Sequence, residues 1–263
     1  MAADRSLLPE RLTFTADGLR LAGMLYRPAG EPRGALVVCH GAGSRKENHT
    51  LMGSQAAAAG LAALTFDFRG HGESEGLMDP HGWHDVAAAA ETLLESSRAP
   101  RAAVRGASMG GCMLLLAARA RPELFGALVA LCPADGDSLL AGLEELERVE
   151  ADAGDAHGAL RPGPARRPRR FDPGYSGRFD GHALRPFLRG LDLVAAARGM
   201  RRVLLAHARD DDVVPFSHSV RLASVLEQPT GFIVLESGGH HGPGRSPEVA
   251  RATLDWVVDN APG

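Results

Sequence analysis

The amino-acid sequence predicts an α/β fold with a mostly parallel central sheet and helices on both faces. Short apolar runs alternate with longer helix-compatible segments through most of the chain, as they do in strand–helix–strand units. These runs are apolar at successive positions, which is typical of strands buried on both faces of a parallel sheet. The 263 residues, 44% of them apolar, are enough for one large globular domain.

The predicted elements follow one another in a regular order. A β-hairpin is predicted first, because the apolar run 19–26 is separated from Phe14 by the turn signal Asp17-Gly18. Six further runs predict buried strands at 35–39, 61–66, 102–104, 127–131, 203–206 and 231–235. Helices are predicted between them at 51–59, 86–96, 109–120, 217–226 and 247–259.

Residues 134–199 interrupt this alternation. The interval between two predicted strands is far longer there than an ordinary connection, which indicates a cap or lid insertion within a single domain spanning 1–263. Residues 139–149 fit an amphipathic helix. Residues 161–170 hold five arginines and three prolines, so no regular structure is expected for them.

Composition excludes several classes of partner. The 29 basic and 32 acidic residues give a net charge of -3, which is too close to balance to predict nucleic acid as the main partner. No apolar run approaches the ~20 residues that span a bilayer, and the first residues lack the apolar core of a signal peptide. Three cysteines in apolar surroundings suit buried thiols in a reducing compartment. We therefore expect a cytoplasmic protein whose main partner is not a nucleic acid.

The sequence Gly-Ala-Ser-Met-Gly carries the strongest chemical signal. It lies directly after the predicted strand 102–104 and directly before an apolar helix, which is the context of a nucleophile elbow. A sharp strand-to-helix turn needs neighbours without bulky side chains, and Gly106 and Gly110 provide them. The pattern predicts Ser108 as a nucleophile.

A serine hydroxyl needs a general base, and the base needs an orienting acid. Three aspartates, 210–212, follow the strand predicted at 203–206, and His240 and His241 follow the strand predicted at 231–235. Each group alone is more typical of a solvated loop than of a catalytic site. A metal site at the two histidines is less supported, because no spaced set of further ligands accompanies them.

Two more loops follow predicted strands. Residues 40–44 form a small-residue turn whose backbone N–H groups can face a substrate oxygen, so Ala42 and Met109 are the predicted oxyanion donors. In the loop Asp-Phe-Arg-Gly-His-Gly-Glu-Ser, Asp67 and Arg69 are predicted to form a buried structural brace rather than to take part in catalysis.

Taken in order, His-Gly-Ala-Gly, Asp-Phe-Arg-Gly-His-Gly-Glu-Ser, Gly-Ala-Ser-Met-Gly-Gly, His-x-x-x-Asp-x-x-Val-Pro and Gly-Gly-His resemble the motifs of the α/β-hydrolase superfamily. The resemblance is greatest to its small esterase, lipase and serine-aminopeptidase-like members, and it covers 13–133 and 200–260. It implies Ser108 as nucleophile, His240 as general base and acid, and Asp211 as the orienting acid. Some members place the acid after an earlier strand, which here would be Asp135.

The resemblance implies a serine hydrolase of carboxylic esters that requires neither cofactor nor metal. A thioester, lactone or peptide would be cleaved by the same steps, and an acyltransferase would admit another alcohol in place of water. A catalytically silent binding protein with this fold is the alternative from another class. A dehalogenase is disfavoured, because that related branch uses aspartate where this chain has Ser108.

Overall fold

A computed structural model describes residues 9–155 and 177–260. The strands are β1 (Glu10–Ala16), β2 (Leu19–Tyr26), β3 (Ala35–Cys39), β4 (Ala62–Phe66), β5 (Ala102–Ala107), β6 (Phe125–Leu131), β7 (Val203–Ala208) and β8 (Thr230–Leu235). The helices are α1 (Thr50–Ala58), α2 (Gly82–Ser97), α3 (Met109–Ala120), α4 (Gly136–Asp155), α5 (Gly181–Gly190), α6 (Leu193–Ala197), α7 (Phe216–Ala223), α8 (Gly242–Arg245) and α9 (Pro247–Asn260). The predicted α/β class is confirmed, and α5, α6 and α8 are elements that the pattern did not predict.

The eight strands form one sheet in the order β1-β2-β4-β3-β5-β6-β7-β8. β2 pairs antiparallel with β1 and with β4, and every other pairing is parallel. The predicted hairpin is present, and both turn residues, Asp17 (φ 51°) and Gly18 (φ 79°), have the positive φ that a tight two-residue hairpin turn requires.

Both faces of the sheet are covered, as the continuous apolar runs predict. In β3, Val37 and Cys39 pack into the cluster that includes residues of α2 and α3, whereas Leu36 and Val38 pack into the cluster that includes residues of α1 and α9. One expectation was wrong: β8 is half-buried at each position rather than fully buried. It is the last strand in the sheet order and pairs only with β7.

The parallel strands bring their carboxyl ends to one edge of the sheet. Cys39 of β3 lies opposite Gly106 of β5, and Ala208 of β7 lies opposite Leu235 of β8. The chain leaves β3 toward β4 on one side and reaches β5 on the other, so the loops after β3 and β5 meet at the point where the strand order reverses. Ligand sites in such sheets form there.

The interval predicted as an insertion contains α4, α5 and α6. The segment entering α5 is tied to the loop after β4, because Arg178 N–H donates to the Gly70 carbonyl (2.7 Å) and Met78 N–H donates to the Arg178 carbonyl (2.8 Å). Residues 161–170, for which no regular structure is predicted, lie outside the described residues. Among the described residues, no helix is long and apolar enough to span a membrane.

Candidate active site

The predicted nucleophile lies at the junction of β5 and α3. Ser108 has φ 54° and ψ −118°, a backbone conformation that is rare for any residue except glycine. Its N–H donates to the Leu131 carbonyl (2.9 Å), and its own carbonyl accepts from Cys112 N–H (3.0 Å) and Ala134 N–H (3.1 Å). These bonds to α3 and to the end of β6 hold the strained turn in place.

The glycines on either side of this serine are required by close approach. A Cβ at Gly106 would overlap the Gly110 carbonyl, and a Cβ at Gly110 would lie 2.5 Å from the His40 carbonyl oxygen. Both obstacles are backbone atoms, so they cannot move aside as a flexible side chain can. The pattern Gly-x-Ser-x-Gly therefore lets α3 pack directly against the loop after β3.

We expect Gly110→Ala to lower the free energy of unfolding by about 1–3 kcal/mol, because the added methyl group overpacks this contact. Alanine is otherwise favoured over glycine inside a helix by about 1 kcal/mol. The matched control is Gly142→Ala in α4, where an added Cβ meets nothing within 4 Å, so that variant should gain stability. Urea denaturation compares the two. Equal stability of the two variants would contradict the contact argument.

The predicted acid and base meet at the ends of β7 and β8. His240 Nδ1 donates to Asp211 Oδ2 at 2.8 Å. Asp211 Oδ1 accepts from the N–H groups of Val213 and Val214, each at 2.9 Å. Burial by itself raises the pKa of Asp211, but hydrogen bonds from His207 and His240 outweigh it and hold that pKa below its usual range. Asp211 is thus a buried, ionised acceptor behind the imidazole.

A second histidine on Asp211 was missed by the sequence argument. His207, fully buried at the end of β7, has Nε2 3.0 Å from Asp211 Oδ2 and 3.1 Å from the Val214 carbonyl. Both partners are acceptors, so Nε2 carries the proton and Nδ1 accepts from the Ser219 hydroxyl (2.7 Å). His207 therefore fixes the carboxylate from the side opposite the Val213 and Val214 N–H groups. The sequence feature that could have indicated this contact is the His-x-x-x-Asp spacing.

The other candidates at these strand ends have different contacts. Asp210 accepts from Gly238 N–H (3.2 Å) and Gly239 N–H (2.8 Å), which anchors the loop that carries His240. Asp135, the alternative acid, lies 3.5 Å from His218 Nδ1 and accepts from Ser138 N–H at 2.9 Å. Asp211 is the aspartate that the structure brings to His240.

Two neutral histidines hold the loop after β3. His40 Nδ1 donates to the Gly41 carbonyl (2.7 Å) and its Nε2 accepts from Phe68 N–H (3.1 Å). His71 Nδ1 donates to the Arg69 carbonyl (3.1 Å) and its Nε2 accepts from Gly43 N–H (3.2 Å). Each ring thus links a backbone group of the loop after β3 to a backbone group of the loop after β4. Ala42, a predicted oxyanion donor, lies between these anchored positions.

A cavity of about 660 Å³ opens over these strand ends. Ser108, Met109, Ala42 and His240 are among the residues that line it. Apolar side chains form another part of the lining, here called the apolar wall: Leu139, Leu143 and Leu146 of α4, Leu184 and Leu188 of α5, and Phe179, Met78 and Met113. The predicted nucleophile, base and oxyanion donors therefore face one space beneath the helices of 134–199.

The model of the serine aminopeptidase, S33, family matches residues 30–243. The chain belongs to this family of α/β-hydrolases. Solved structures agree on the fold: Est1E from Butyrivibrio proteoclasticus, determined with ferulic acid, has a TM-score of 0.70 at 19% identity over 95% of this chain and 98% of that one. GrgF from Penicillium has a TM-score of 0.73 at 17% identity over 96% of this chain and 99% of that one.

Curated relatives of this chain match it over different lengths. Human monoglyceride lipase is 29% identical over 123 residues, which are 45% of this chain and 41% of the lipase. The quorum-quenching protein AidA of Acinetobacter baumannii is 31% identical over 135 residues, 48% of this chain and 44% of that protein. An uncharacterized protein of Mycobacterium tuberculosis is 27% identical over 233 residues, 87% of this chain and 71% of that protein. The chain spans less than half the length of the lipase.

The loop after β4 is braced as predicted, but by other partners. Asp67 and Arg69 are both buried. Asp67 Oδ2 accepts from Lys46 Nζ at 2.7 Å, whereas Arg69 donates to Asp85 Oδ1 through Nε (2.9 Å) and Nη2 (2.7 Å). The predicted Asp-Arg brace is thus two separate braces, which tie the loop to the loop after β3 and to α2.

We expect the protein to lose stability between pH 7 and pH 5, by up to about 1.4 kcal/mol per pH unit for each of His40 and His71. Burial lowers the pKa of both from 6.5 to about 3. Between these values the unfolded chain binds protons that the folded chain does not. The stability that depends on these two neutral histidines is therefore fully present above pH 6.5 and is lost as the pH falls toward 3.

Urea unfolding at several pH values measures this slope. His71→Asn is the informative variant, because the asparagine amide can still donate to the Arg69 carbonyl but does not titrate. It should remove the share of the slope that belongs to His71. An unchanged slope in that variant would mean that other groups take up the protons.

Proposed function

We propose that this protein is a serine hydrolase that cleaves carboxylic esters through an acyl-enzyme on Ser108. The observation that carries the proposal is the 2.8 Å hydrogen bond from His240 Nδ1 to the buried Asp211, with His240 and Ser108 lining one cavity. A carboxylate, an imidazole and a hydroxyl in this relation are the parts that acyl transfer by serine requires.

The proposed reaction begins with the proton on His240 Nδ1 held by Asp211, so that Nε2 carries the lone pair. Nε2 takes the Ser108 hydroxyl proton while Oγ attacks the acyl carbonyl. The N–H groups of Ala42 and Met109 donate to the oxyanion; Met109 is the first residue of α3, where helix N–H groups lack intrahelical acceptors. His240 then protonates the leaving alcohol, and a water molecule clears the acyl group by the same steps.

The cavity supports an ester with an apolar acyl or alkyl part. Its wall is formed by leucines of α4 and α5 together with Phe179, Met78 and Met113. None of the described residues that line it is an aspartate or glutamate, so a substrate with a free amino group finds no carboxylate there. This favours an ester over the peptide substrate with a free amino terminus that the family's name implies. We also propose that 134–199 act as a cap within one domain, because α4 and α5 form this wall.

The cysteines support the proposed cytoplasmic location. Cys39, Cys112 and Cys132 are free and buried. Burial raises the pKa of Cys112 to about 12, which keeps this thiol protonated and unreactive. Buried free thiols suit a reducing compartment.

A fluorophosphonate probe followed by peptide mapping tests the proposal. We expect the label on Ser108, no label on the Ser108→Ala variant, and turnover of short-chain nitrophenyl esters that exceeds turnover of aminoacyl nitroanilides. Labelling at Ser108 with faster nitroanilide cleavage would replace the esterase by a peptidase. Absence of labelling in the folded parent would reject the nucleophile and leave the silent binding protein.

A further inference from the structure

Cys132 is a third chemical group beside His240 and Asp211 that the proposed reaction does not use. It directly follows β6, Asp211 lies beyond the end of β7, and His240 lies beyond the end of β8, so three neighbouring strands deliver these side chains to one place. The Cys132 thiol donates to the His240 carbonyl at 3.3 Å. A sulfur, a carboxylate oxygen and an imidazole nitrogen of the three residues all lie within 4.8 Å of one another.

We propose that Cys132, Asp211 and His240 bind a zinc ion, and that its binding switches the hydrolase off. Zinc favours four ligands at about 2.3 Å for sulfur and about 2.0–2.2 Å for nitrogen and oxygen, which places tetrahedral ligand atoms roughly 3.3–3.7 Å apart. The present spacing needs only small side-chain movements to reach this. Water from the cavity supplies the fourth ligand. Among the described residues, this is the one group of three such side chains close enough to hold a metal.

The cavity gives an ion access to the site, and hydrogen bonds hold one of the ligands in place. Cys132 and His240 line the cavity, so the ion enters where substrate would. The N–H groups of Val213 and Val214 and the His207 ring hold the Asp211 carboxylate. Such outer hydrogen bonds orient ligands and raise metal affinity.

Zinc binding releases one proton from this site. Zinc displaces the Cys132 thiol proton, which leaves to solvent, and it displaces the proton on His240 Nδ1, so that the neutral imidazole carries its proton on Nε2. Asp211 is already a carboxylate. One divalent ion against one thiolate and one carboxylate gives a neutral, buried cluster. An Nε2 that carries a proton cannot accept the proton of Ser108, so the inhibitory part of this inference rests on the proposed function.

Cobalt(II) titration of the full chain tests binding without any activity assay. We expect the parent to show a thiolate-to-cobalt charge-transfer band that saturates at one equivalent and that zinc abolishes. The Cys132→Ser variant should lack the band. If that variant does not fold, Cys132→Ala is used in its place. Cys112→Ser, which removes another buried thiol, should keep the band. A band that persists without Cys132, or no band in the parent, would overturn the proposal.

Ester turnover then tests inhibition, with each variant compared with its own activity in a chelator. The zinc concentration that halves turnover should rise by about 100-fold or more in Cys132→Ser and should be unchanged in Cys112→Ser, because loss of a ligand exceeds the roughly 10–100-fold effect of an outer partner. Equal inhibition of both variants contradicts the site. If no ester is cleaved although the cobalt band is present, the proposed function fails and the metal site stands.

Discussion

Asp211→Asn is expected to lower kcat for an ester by about 10⁴-fold while the chain remains folded. Asp211 Oδ1 accepts two backbone N–H groups, and the amide oxygen of asparagine can keep those bonds. The amide nitrogen then faces His240 Nδ1, which must accept a hydrogen bond instead of donating one, while His207 Nε2 keeps its bond to the Val214 carbonyl. The proton of the ring moves to Nε2, so the imidazole no longer accepts the Ser108 proton.

KM should change far less than kcat, because the carboxylate does not face the apolar wall of the cavity. Asp135→Asn is the matched control: Asp135 lies near His218 rather than His240, and its bond from Ser138 N–H can be kept by the amide oxygen. We expect that variant to stay within a few-fold of the parent. Near-normal turnover by Asp211→Asn, or a large loss in Asp135→Asn, would move the orienting acid to the earlier strand end.

The parts that sequence predicted are those that depend on local geometry. The turn at Asp17-Gly18 requires positive φ at both positions, and the turn at Ser108 requires small neighbours, so both leave a signal in adjacent residues. The alternation of apolar runs with helices predicts a mostly parallel sheet, and parallel strands place all their following loops at one edge. The convergence of Ser108, the aspartates and the two histidines followed from that arrangement, whereas the choice of Asp211 and His240 among them rested on the family resemblance.

The parts that sequence missed are contacts between side chains of different elements. Apolar periodicity does not show that β8 is last in the sheet order. Because it is last, β8 is half-buried rather than fully buried. Asp67 and Arg69 are only two positions apart in the chain, yet they pair with Lys46 and Asp85, 21 and 16 residues away. His207 was visible as part of a motif, but its spacing to Asp211 did not reveal that Nε2 shares the carboxylate with His240.

Lys46→Met is expected to lower the free energy of unfolding by about 3–5 kcal/mol, because it leaves a buried carboxylate without its counterion. Lys46 is the single lysine of a chain with 29 basic residues, and only 1% of its surface is exposed. Its Nζ lies 2.7 Å from Asp67, 2.6 Å from Glu73 and 2.9 Å from Glu47. An ammonium group has three N–H donors and here meets three carboxylates, a match that a planar guanidinium cannot make.

Chemical denaturation of four variants separates the charge from the packing of the side chain. Arg45→Met is the neighbouring control: this exposed arginine lies 3.8 Å from Glu47, and such pairs contribute about 0–1 kcal/mol. Lys46→Arg should also destabilise, although it keeps the charge. Adding Asp67→Asn to Lys46→Met should recover part of the loss, because the unpaired charge is then gone. If Lys46→Met were as stable as Arg45→Met, the backbone N–H of residue 46 on Asp67 and the rings of His40 and His71 would suffice to hold the loop after β3, and the ammonium would be dispensable.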